Sequence, residues 1–349
     1  MKRDQEHFRG CLLGGAIGDA LGWPVEFMKL DEIVQRFGEG GIRDLILAPS
    51  GKAEITDDTQ MTVFTAEGLL RAEARGVNKG ICHLPSVVFH AYQRWLLTQG
   101  YPRKEEYEGI YDGWLLGVKE LHAPRAPGKT CISALLSGRQ GSMESPINNS
   151  KGCGGVMRVA PVGLFCRKED AFRTGAEIAA LTHGHPSGYL SAGALAYLVA
   201  SIIEGRELES AVEEALAELA GYENHEECSA ALAKAVELAR VDSLGDAEAI
   251  ARLGEGWVGE EALAIAVYCA LKHRDDFRKA LIAAVNHDGD SDSTGAIAGN
   301  ILGVYLGLSG IPTDWVEQVE LKEVLLELAD DLLTRYRDDE AWRCRYPGC

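Results

Sequence analysis

The chain has 349 residues, of which 46% are hydrophobic and 25% charged, values typical of a globular protein rather than a disordered or fibrous one. Its formal net charge of −18 disfavours binding to nucleic acid or to an anionic membrane surface. The nine scattered cysteines include no pair at metal-ligand spacing, and no signal peptide is recognised, so we expect free thiols and a cytoplasmic location.

Apolar residues at helical spacing dominate the chain, and no alternating pattern or Val/Ile-rich series predicts strands. The linkers are short and none resembles a flexible hinge. We therefore predict an all-α protein that forms one compact domain over 1–349. In chain order, the predicted helices cover 61–75, 86–98, 105–121, 171–181, 187–204, 208–219, 229–239, 260–272, 277–285, 295–308 and 321–336.

Glycines recur every fourth residue in two segments, and each set falls on one face of a helix. The two sets are Gly10, Gly14, Gly18 and Gly22, and Gly295, Gly299, Gly303 and Gly307. A glycine inside a helix costs about 1 kcal/mol relative to alanine, so we expect these faces to pack closely in the core. The segment 295–312 is also nearly all apolar, but Asn300 interrupts it and it is shorter than the roughly 20 residues that span a bilayer. We predict a buried helix rather than a membrane span.

Two acid-rich segments, 56–59 (TDDT) and 287–294 (HDGDSDST), directly precede predicted helices. Each by itself is explained as a helix N-cap. If the two glycine-faced helices pack together, the two acid-rich segments meet. Carboxylates so close to one another do not all ionise unless a cation is present. Oxygen ligands alone favour two Mg²⁺ or Mn²⁺ ions over Zn²⁺. The candidate ligands are Thr56, Asp57, Asp58, Asp290, Asp292 and Ser293.

Three further segments contain polar residues or glycines with a possible role. Pro24 is expected to end the first helix and to set Glu26 on an exposed turn, where a lone glutamate is ordinarily a surface residue. The glycine-rich segment 148–155 can cradle a diphosphate through its backbone N–H groups, although such loops are more common without a ligand. His183, in 182–186, is either part of a helix stop or a ligand contact.

These motifs, in this order and spacing, resemble the ADP-ribosylglycohydrolase superfamily over 10–310. The matching segments are GDALG..VEF, TDDT, NNSKGCGGVMRVAP, LTHGHP, GWVGEEAL and DGDSDSTGAIAGN. The resemblance implies a single orthogonal helical domain and two metal ions held by the six candidate ligands above. It also implies that Glu26 lies on a mobile loop. The residues that it assigns to ADP-ribose binding are Asn148, Asn149, Ser150, Lys151, Gly152, Cys153, Gly154 and His183.

The implied reaction is hydrolysis of the glycosidic bond that joins the distal ribose to a side chain of an ADP-ribosylated protein, with ADP-ribose as product. Proton transfer falls to Glu26 or to one of the carboxylates Asp57, Asp58 and Asp292. One branch of the family has a catalytic acid before a G-x-T element, but here 128–130 is preceded by Arg-Ala-Pro. Ser293, where other branches have threonine, favours arginine as the modified residue.

Two other functions remain open from the sequence. The carboxylates alone would allow a two-metal phosphohydrolase, although the ordered motifs do not favour it. A catalytically inactive relative that binds an ADP-ribosyltransferase or a modified protein is the other alternative, and the complete set of six metal-ligand positions argues against it. The sequence leaves open whether the role is housekeeping or immunity against a toxin.

Overall fold

The computed structural model of the protein describes residues 1–348. It is 66% helical, and the described residues form only isolated β-bridges, so the all-α prediction is confirmed. Short 3₁₀ turns cover Trp23–Val25, Glu105–Ile110, Trp114–Gly117, Lys119–Leu121, Cys153–Gly155 and Leu308–Gly310. The α-helices are α1 (Gln5–Gly22), α2 (Leu30–Phe37), α3 (Asp57–Lys79), α4 (Leu84–Thr98), α5 (Lys129–Leu136), α6 (Ala160–Phe165), α7 (Lys168–Ala180), α8 (Pro186–Ile203), α9 (Leu208–Leu219), α10 (Glu226–Ala239), α11 (Asp246–Leu253), α12 (Gly259–Lys272), α13 (Phe277–Val285), α14 (Ser291–Leu306), α15 (Thr313–Gln318), α16 (Lys322–Thr334) and α17 (Glu340–Arg345).

The predicted helix over 105–121 is wrong, because this segment forms three separate 3₁₀ turns. Gly113, between the first two turns, has a φ of +112°, far from the helical region and rarely adopted by residues with a side chain. The apolar spacing suggested a helix, but the glycine interrupts helical geometry between the first two turns. The other predicted segments all lie on α-helices, with ends that differ by about one turn.

Helices α1 and α14 pack against each other through the two glycine faces, as predicted. A Cβ atom on Gly14 would collide with the carbonyl oxygen of Gly299, and equivalent clashes recur along both helices. The helices run antiparallel, so the end of α1 meets the beginning of α14. At that point, a Cβ atom on Gly22 would lie 2.5 Å from the Cα atom of Asp292. The packing therefore brings the residues that follow α1 to the acid-rich head of α14.

Among residues 1–348, α8 is the one helix that is both long and apolar enough to cross a membrane. The rest of the protein buries 83% of its residues. Such burial is typical of a core helix, whose sides all contact other helices. Helix α14, which contains most of the apolar segment 295–312, is also buried in the core from Ser291 to Val304.

The eight cysteines in the described part of the chain are all free thiols, which agrees with the sequence prediction. The ninth, Cys349, lies outside the described residues. Most of the eight are buried, and Cys344 is exposed. The compact helical domain is therefore stabilised by packing rather than by disulfide bonds within 1–348.

Candidate active site

Thr56 is the N-cap of α3, and its hydroxyl accepts a hydrogen bond from the backbone N–H of Asp58 at 3.3 Å. This agrees with the capping interpretation of the TDDT segment. Asp57 and Asp58 are nevertheless only 4% and 2% exposed. A carboxylate removed from water to this extent needs a cation or several hydrogen-bond donors, so capping alone does not explain the segment.

Asp19 is a buried acid of α1 to which the sequence analysis gives no role. Its carboxylate accepts hydrogen bonds from the backbone N–H groups of Thr56 and Thr59, at 3.0 and 3.1 Å, and from the Thr59 hydroxyl. Burial, followed by the charge of Asp292, raises the pKa of Asp19 to about 7. The signal in the sequence was an acid inside an otherwise apolar, glycine-faced helix.

The second acidic segment lies at the head of α14, where Asp290 is the N-cap and Asp292 belongs to the first turn. The backbone N–H of Ser293 donates to Asp292 Oδ1 at 3.0 Å. Asp290 Oδ2 accepts a hydrogen bond from the thiol of Cys153 at 2.7 Å. This contact joins the glycine-rich loop to the acidic segment directly.

Glu26 is buried rather than exposed, which corrects the expectation from the sequence. Helix α1 ends at Gly22, and the 3₁₀ turn that contains Pro24 redirects the chain, so the Glu26 side chain lies against the head of α14 and is only 7% exposed. One carboxylate oxygen from each of Glu26, Asp290 and Asp292 lies within 4.8 Å of the other two. Antiparallel packing of α1 on α14 accounts for this convergence.

Two buried carboxylate oxygens of this site, Glu26 Oε2 and Asp58 Oδ1, have no hydrogen-bond donor among residues 1–348. Leaving buried charged oxygens without partners costs several kcal/mol each. Convergent carboxylate oxygens are the ligands that hard divalent cations prefer. The acidic cluster is therefore a possible metal-binding group, and its donor set fits a hard cation.

The charges of the protein itself oppose ionisation of these acids. Burial, with the charge of Asp292 as the next cause, raises the pKa of Asp58 well above its ordinary value. Burial is also the main cause for Glu26, followed by the charges of Asp292 and Asp290, and the pKa of Glu26 rises to about 10. A bound cation reverses this balance, because it favours the charged form of each carboxyl group.

A cavity of about 520 Å³ opens over the carboxylates, a size typical of small-molecule sites. It brings together both acidic segments, Glu26, three residues of the glycine-rich loop and His183 from widely separated parts of the chain. The residues that line it are Glu26, Phe27, Asp57, Asp58, Ala126, Pro127, Gly128, Lys129, Thr130, Cys131, Gly152, Cys153, Gly154, Met157, His183, Trp257, Asp290, Asp292 and Ser293.

The remaining predicted site residues do not line this cavity: Thr56, Asn148, Asn149, Ser150 and Lys151. Asn148 Oδ1 accepts hydrogen bonds from the backbone N–H groups of Ser150 and Gly184, both at 3.0 Å. Its amide nitrogen donates to Thr182 O. Lys151 forms an ion pair with Glu260 at 2.6 Å. These contacts hold the glycine-rich loop in position through residues that do not line the cavity.

His183 lies beside the glycine-rich loop, is 1% exposed and has its Nδ1 atom 2.9 Å from the Thr182 hydroxyl. Burial, followed by the charge of Arg158, lowers the pKa of His183 to about 3, so the imidazole is neutral near pH 7. A Cβ atom on Gly152 would lie 3.4 Å from His183 Nε2. The second ring nitrogen therefore faces the glycine-rich loop.

The loop around Gly128 also belongs to the site, although the sequence analysis assigned it no binding role. The Gly128 N–H donates to Asp57 Oδ2 at 3.1 Å, and residues 126–131 line the cavity. Arg125, just before this stretch, donates to Glu320 at 2.6 Å and to Ile55 O at 2.8 Å. As the sequence indicated, the loop adds no acid to the cavity. Arg125 instead anchors its start.

The overall fold is similar to that of a solved structure described as an ADP-ribosylglycohydrolase-related protein complex, with a TM-score of 0.67 and 26% identity. The match covers 96% of this chain and 99% of the other. A protein of Archaeoglobus fulgidus without an assigned function is 32% identical over 334 residues, which cover 94% of this chain and 96% of that protein. ADP-ribosylhydrolase ARH3 of Bos taurus is 26% identical over 366 residues, which cover 95% of this chain and 93% of that protein.

Together with the buried carboxylates of the cavity, these similarities define the protein as a hydrolase of glycosidic bonds. The model of the ADP-ribosylglycohydrolase family matches residues 1–341. The chain belongs to this family, as the resemblance of its motifs indicated.

Proposed function

We propose that the protein hydrolyses the bond between the distal ribose of ADP-ribose and a side chain of an ADP-ribosylated protein, releasing ADP-ribose. The observation that carries this proposal is the convergence of five buried carboxylates and a glycine-rich loop on one cavity. A volume of about 520 Å³ suits a ligand of nucleotide size. Family membership supports the same chemistry.

We infer that two divalent cations, Mg²⁺ or Mn²⁺, bind at the carboxylates. The uncompensated oxygen Asp58 Oδ1 supports this inference, because only a cation or a donor outside residues 1–348 would satisfy it. When bound, such ions orient hydroxyl groups of a sugar and lower the pKa of water. The proposed ligands are Thr56, Asp57, Asp58, Asp290, Asp292 and Ser293.

The glycine-rich loop is our candidate for the diphosphate site. A Cβ atom on Gly154 would lie 2.9 Å from Cys131 Sγ and 3.0 Å from His183 Cε1, so only glycine leaves the backbone free to approach a ligand closely. The neutral imidazole of His183, beside the loop, can donate or accept a hydrogen bond. Asn148, Asn149, Ser150 and Lys151 support the loop in this proposal.

Cleavage of the glycosidic bond places positive charge on the ribose ring, and the carboxylates around the cavity stabilise that charge. We assign proton transfer to Glu26, because its carboxyl group borders both the cavity and the Asp290–Asp292 pair. A water molecule that attacks the anomeric carbon loses a proton, and the leaving side chain gains one. Asp57, Asp58 and Asp292 are the other candidates for this role.

We propose arginine as the modified residue. Glu26 is the one carboxylate of the cavity that is not among the proposed metal ligands, and its charge attracts a cationic guanidinium group more strongly than a neutral hydroxyl. Ser293 supports the same choice, since serine at this position resembles the arginine-specific branch. The free thiols of the described residues support a cytoplasmic reaction.

The test is incubation with peptides that carry ADP-ribose on arginine or on serine, and with O-acetyl-ADP-ribose, each with Mg²⁺ or with chelator. Mass spectrometry should detect intact ADP-ribose and unmodified arginine peptide, and only when Mg²⁺ is present. Release of AMP, with ribose phosphate left on the peptide, would instead identify a phosphohydrolase. Binding of ADP-ribose without any cleavage would identify an inactive binding protein.

A further inference from the structure

Two large aromatic side chains are exposed at the cavity. Phe27 is 71% exposed and Trp257 is 38% exposed, and both line the cavity. Their rings stack on each other, with centroids 5.8 Å apart and planes inclined by 17°. Single exposed apolar residues are common in proteins, but a stacked pair at the edge of a cavity is a recognised kind of ligand surface.

The pair connects the two halves of the site. Phe27 directly follows Glu26, whereas the Trp257 carbonyl accepts a hydrogen bond from the backbone N–H of Cys153 in the glycine-rich loop at 3.2 Å. Just outside the pair, Lys29 Nζ lies 2.8 Å from the Glu255 carboxylate. Backbone contacts and this ion pair therefore hold the aromatic surface beside Glu26 at the cavity.

We propose that the Phe27–Trp257 pair recognises the guanidinium group of the ADP-ribosylated arginine. This inference rests on the proposed function and assigns its specificity for the linkage. A guanidinium group is planar, permanently charged in its free form and weakly hydrated, so it stacks on aromatic faces. The carboxylate of Glu26, which directly precedes Phe27 and is not among the proposed metal ligands, adds charge attraction. A serine hydroxyl offers neither a planar face nor a charge and gains nothing from the pair.

The experiment compares Phe27→Ala and Trp257→Ala with the wild-type protein on ADP-ribosyl-arginine and ADP-ribosyl-serine peptides. Loss of a partly exposed cation–π contact should lower kcat/KM for the arginine peptide about tenfold. The value for the serine peptide should stay within about twofold, as should the calorimetric Kd of free ADP-ribose, which has no guanidinium group. Trp257→Phe keeps an aromatic face and should retain most of the activity on arginine.

Val77→Ala is the matched control for removal of an exposed apolar side chain. Val77 is 56% exposed and lies near the far end of α3, about 30 Å along the helix from Asp57. It should behave as wild type with both peptides. Circular dichroism melting curves check that every variant is folded.

Three results would overturn the inference: unchanged kinetics in both alanine variants, equal losses on the two peptides, or weaker binding of free ADP-ribose. The last would place the ADP-ribose moiety itself on the aromatic pair. If the wild-type protein cleaves neither peptide, the proposed function fails separately. Calorimetry then decides whether the aromatic pair recognises the guanidinium group. The inference is supported if Phe27→Ala loses affinity for ADP-ribosyl-arginine but not for ADP-ribose. It is excluded if Phe27→Ala and the wild type bind ADP-ribosyl-arginine with equal affinity.

Discussion

The carboxylate of Asp19 accepts hydrogen bonds from both the backbone N–H and the hydroxyl of Thr59, at 3.1 and 2.5 Å. Asp19 lies in α1 and Thr59 in the first turn of α3, so the buried carboxylate of one helix caps the N-terminus of another. Since α1 also packs along α14, the same helix holds both acidic segments at the cavity. Asp19 thereby positions Thr59, which lies 40 residues later in the chain.

Asp19→Ala should loosen the head of α3, because the N–H groups of Thr56 and Thr59 lose their buried acceptor. An unsatisfied buried N–H costs about 1 to 3 kcal/mol, so amide hydrogen exchange at both positions should accelerate by about tenfold or more. Mass spectrometry or NMR measures this exchange. Thr59→Ser keeps the hydroxyl and both N–H contacts and should retain protection. Wild-type exchange rates in Asp19→Ala would show that the carboxylate does not order α3.

Helical periodicity and glycine spacing were enough to predict the class of fold and the pairing of α1 with α14. Both signals reflect contacts that repeat along an element, and repetition is visible in a sequence. The segment 105–121 misled the prediction because its apolar spacing is helical, whereas Gly113 adopts a φ of +112°. The conformation of a single glycine depends on tertiary context, which the spacing of its neighbours does not record.

The burial of Glu26 and the role of Asp19 could not be predicted from their neighbours in the sequence. Glu26 is buried because the turn after α1 folds onto the head of α14, a contact between residues more than 250 positions apart. The acidic segments were predictable, since each combines several acids with a helix start. Gly128 had no such signal, because its contribution to the site is a backbone N–H that any residue except proline possesses.

Asp292→Asn should abolish metal binding and lower turnover by at least about 100-fold. After burial, the charge of Asp292 is the next cause of the raised pKa of both Glu26 and Asp58, so its removal also relieves repulsion. The metal-free variant should therefore be no less stable than the metal-free wild type. At 100 times Kd, Mn²⁺ should stabilise the wild type by about 2.7 kcal/mol for each bound ion and the variant by much less. Thermal melts with Mn²⁺ and with chelator measure both effects.

Asp288→Asn is the matched control for this prediction. Asp288 lies in the same segment, but its side chain is 50% exposed, does not line the cavity and accepts a hydrogen bond from Leu30 N. The Mn²⁺-dependent shift in Tm should survive in this variant. An equal Mn²⁺ shift in Asp292→Asn and wild type would contradict the proposed metal site.

His183 should make the folded protein sensitive to acid. Its pKa is lowered to about 3 in the folded state by burial, against about 6.5 in the unfolded chain, so unfolding takes up a proton between these values. The free energy of unfolding should thus fall as the pH drops below about 6.5, by up to about 1.4 kcal/mol per pH unit. Urea unfolding from pH 7 to pH 4.5 should give a shallower decline for His183→Gln. Identical slopes would mean that the imidazole becomes protonated in the folded protein.

Gly154→Val should weaken the binding of free ADP-ribose without unfolding the protein. A Cβ atom on Gly154 comes within 3.0 Å of Cys131 and His183, so the larger side chain must push into the cavity where we place the diphosphate. Calorimetry should show a Kd raised by about tenfold or more, the cost of one lost charge-assisted hydrogen bond. The control is Gly245→Ala, at the start of α11, where a Cβ atom meets no neighbour and the φ of −73° suits alanine. It should keep the wild-type Kd, and unchanged affinity in Gly154→Val would move the diphosphate site away from this loop.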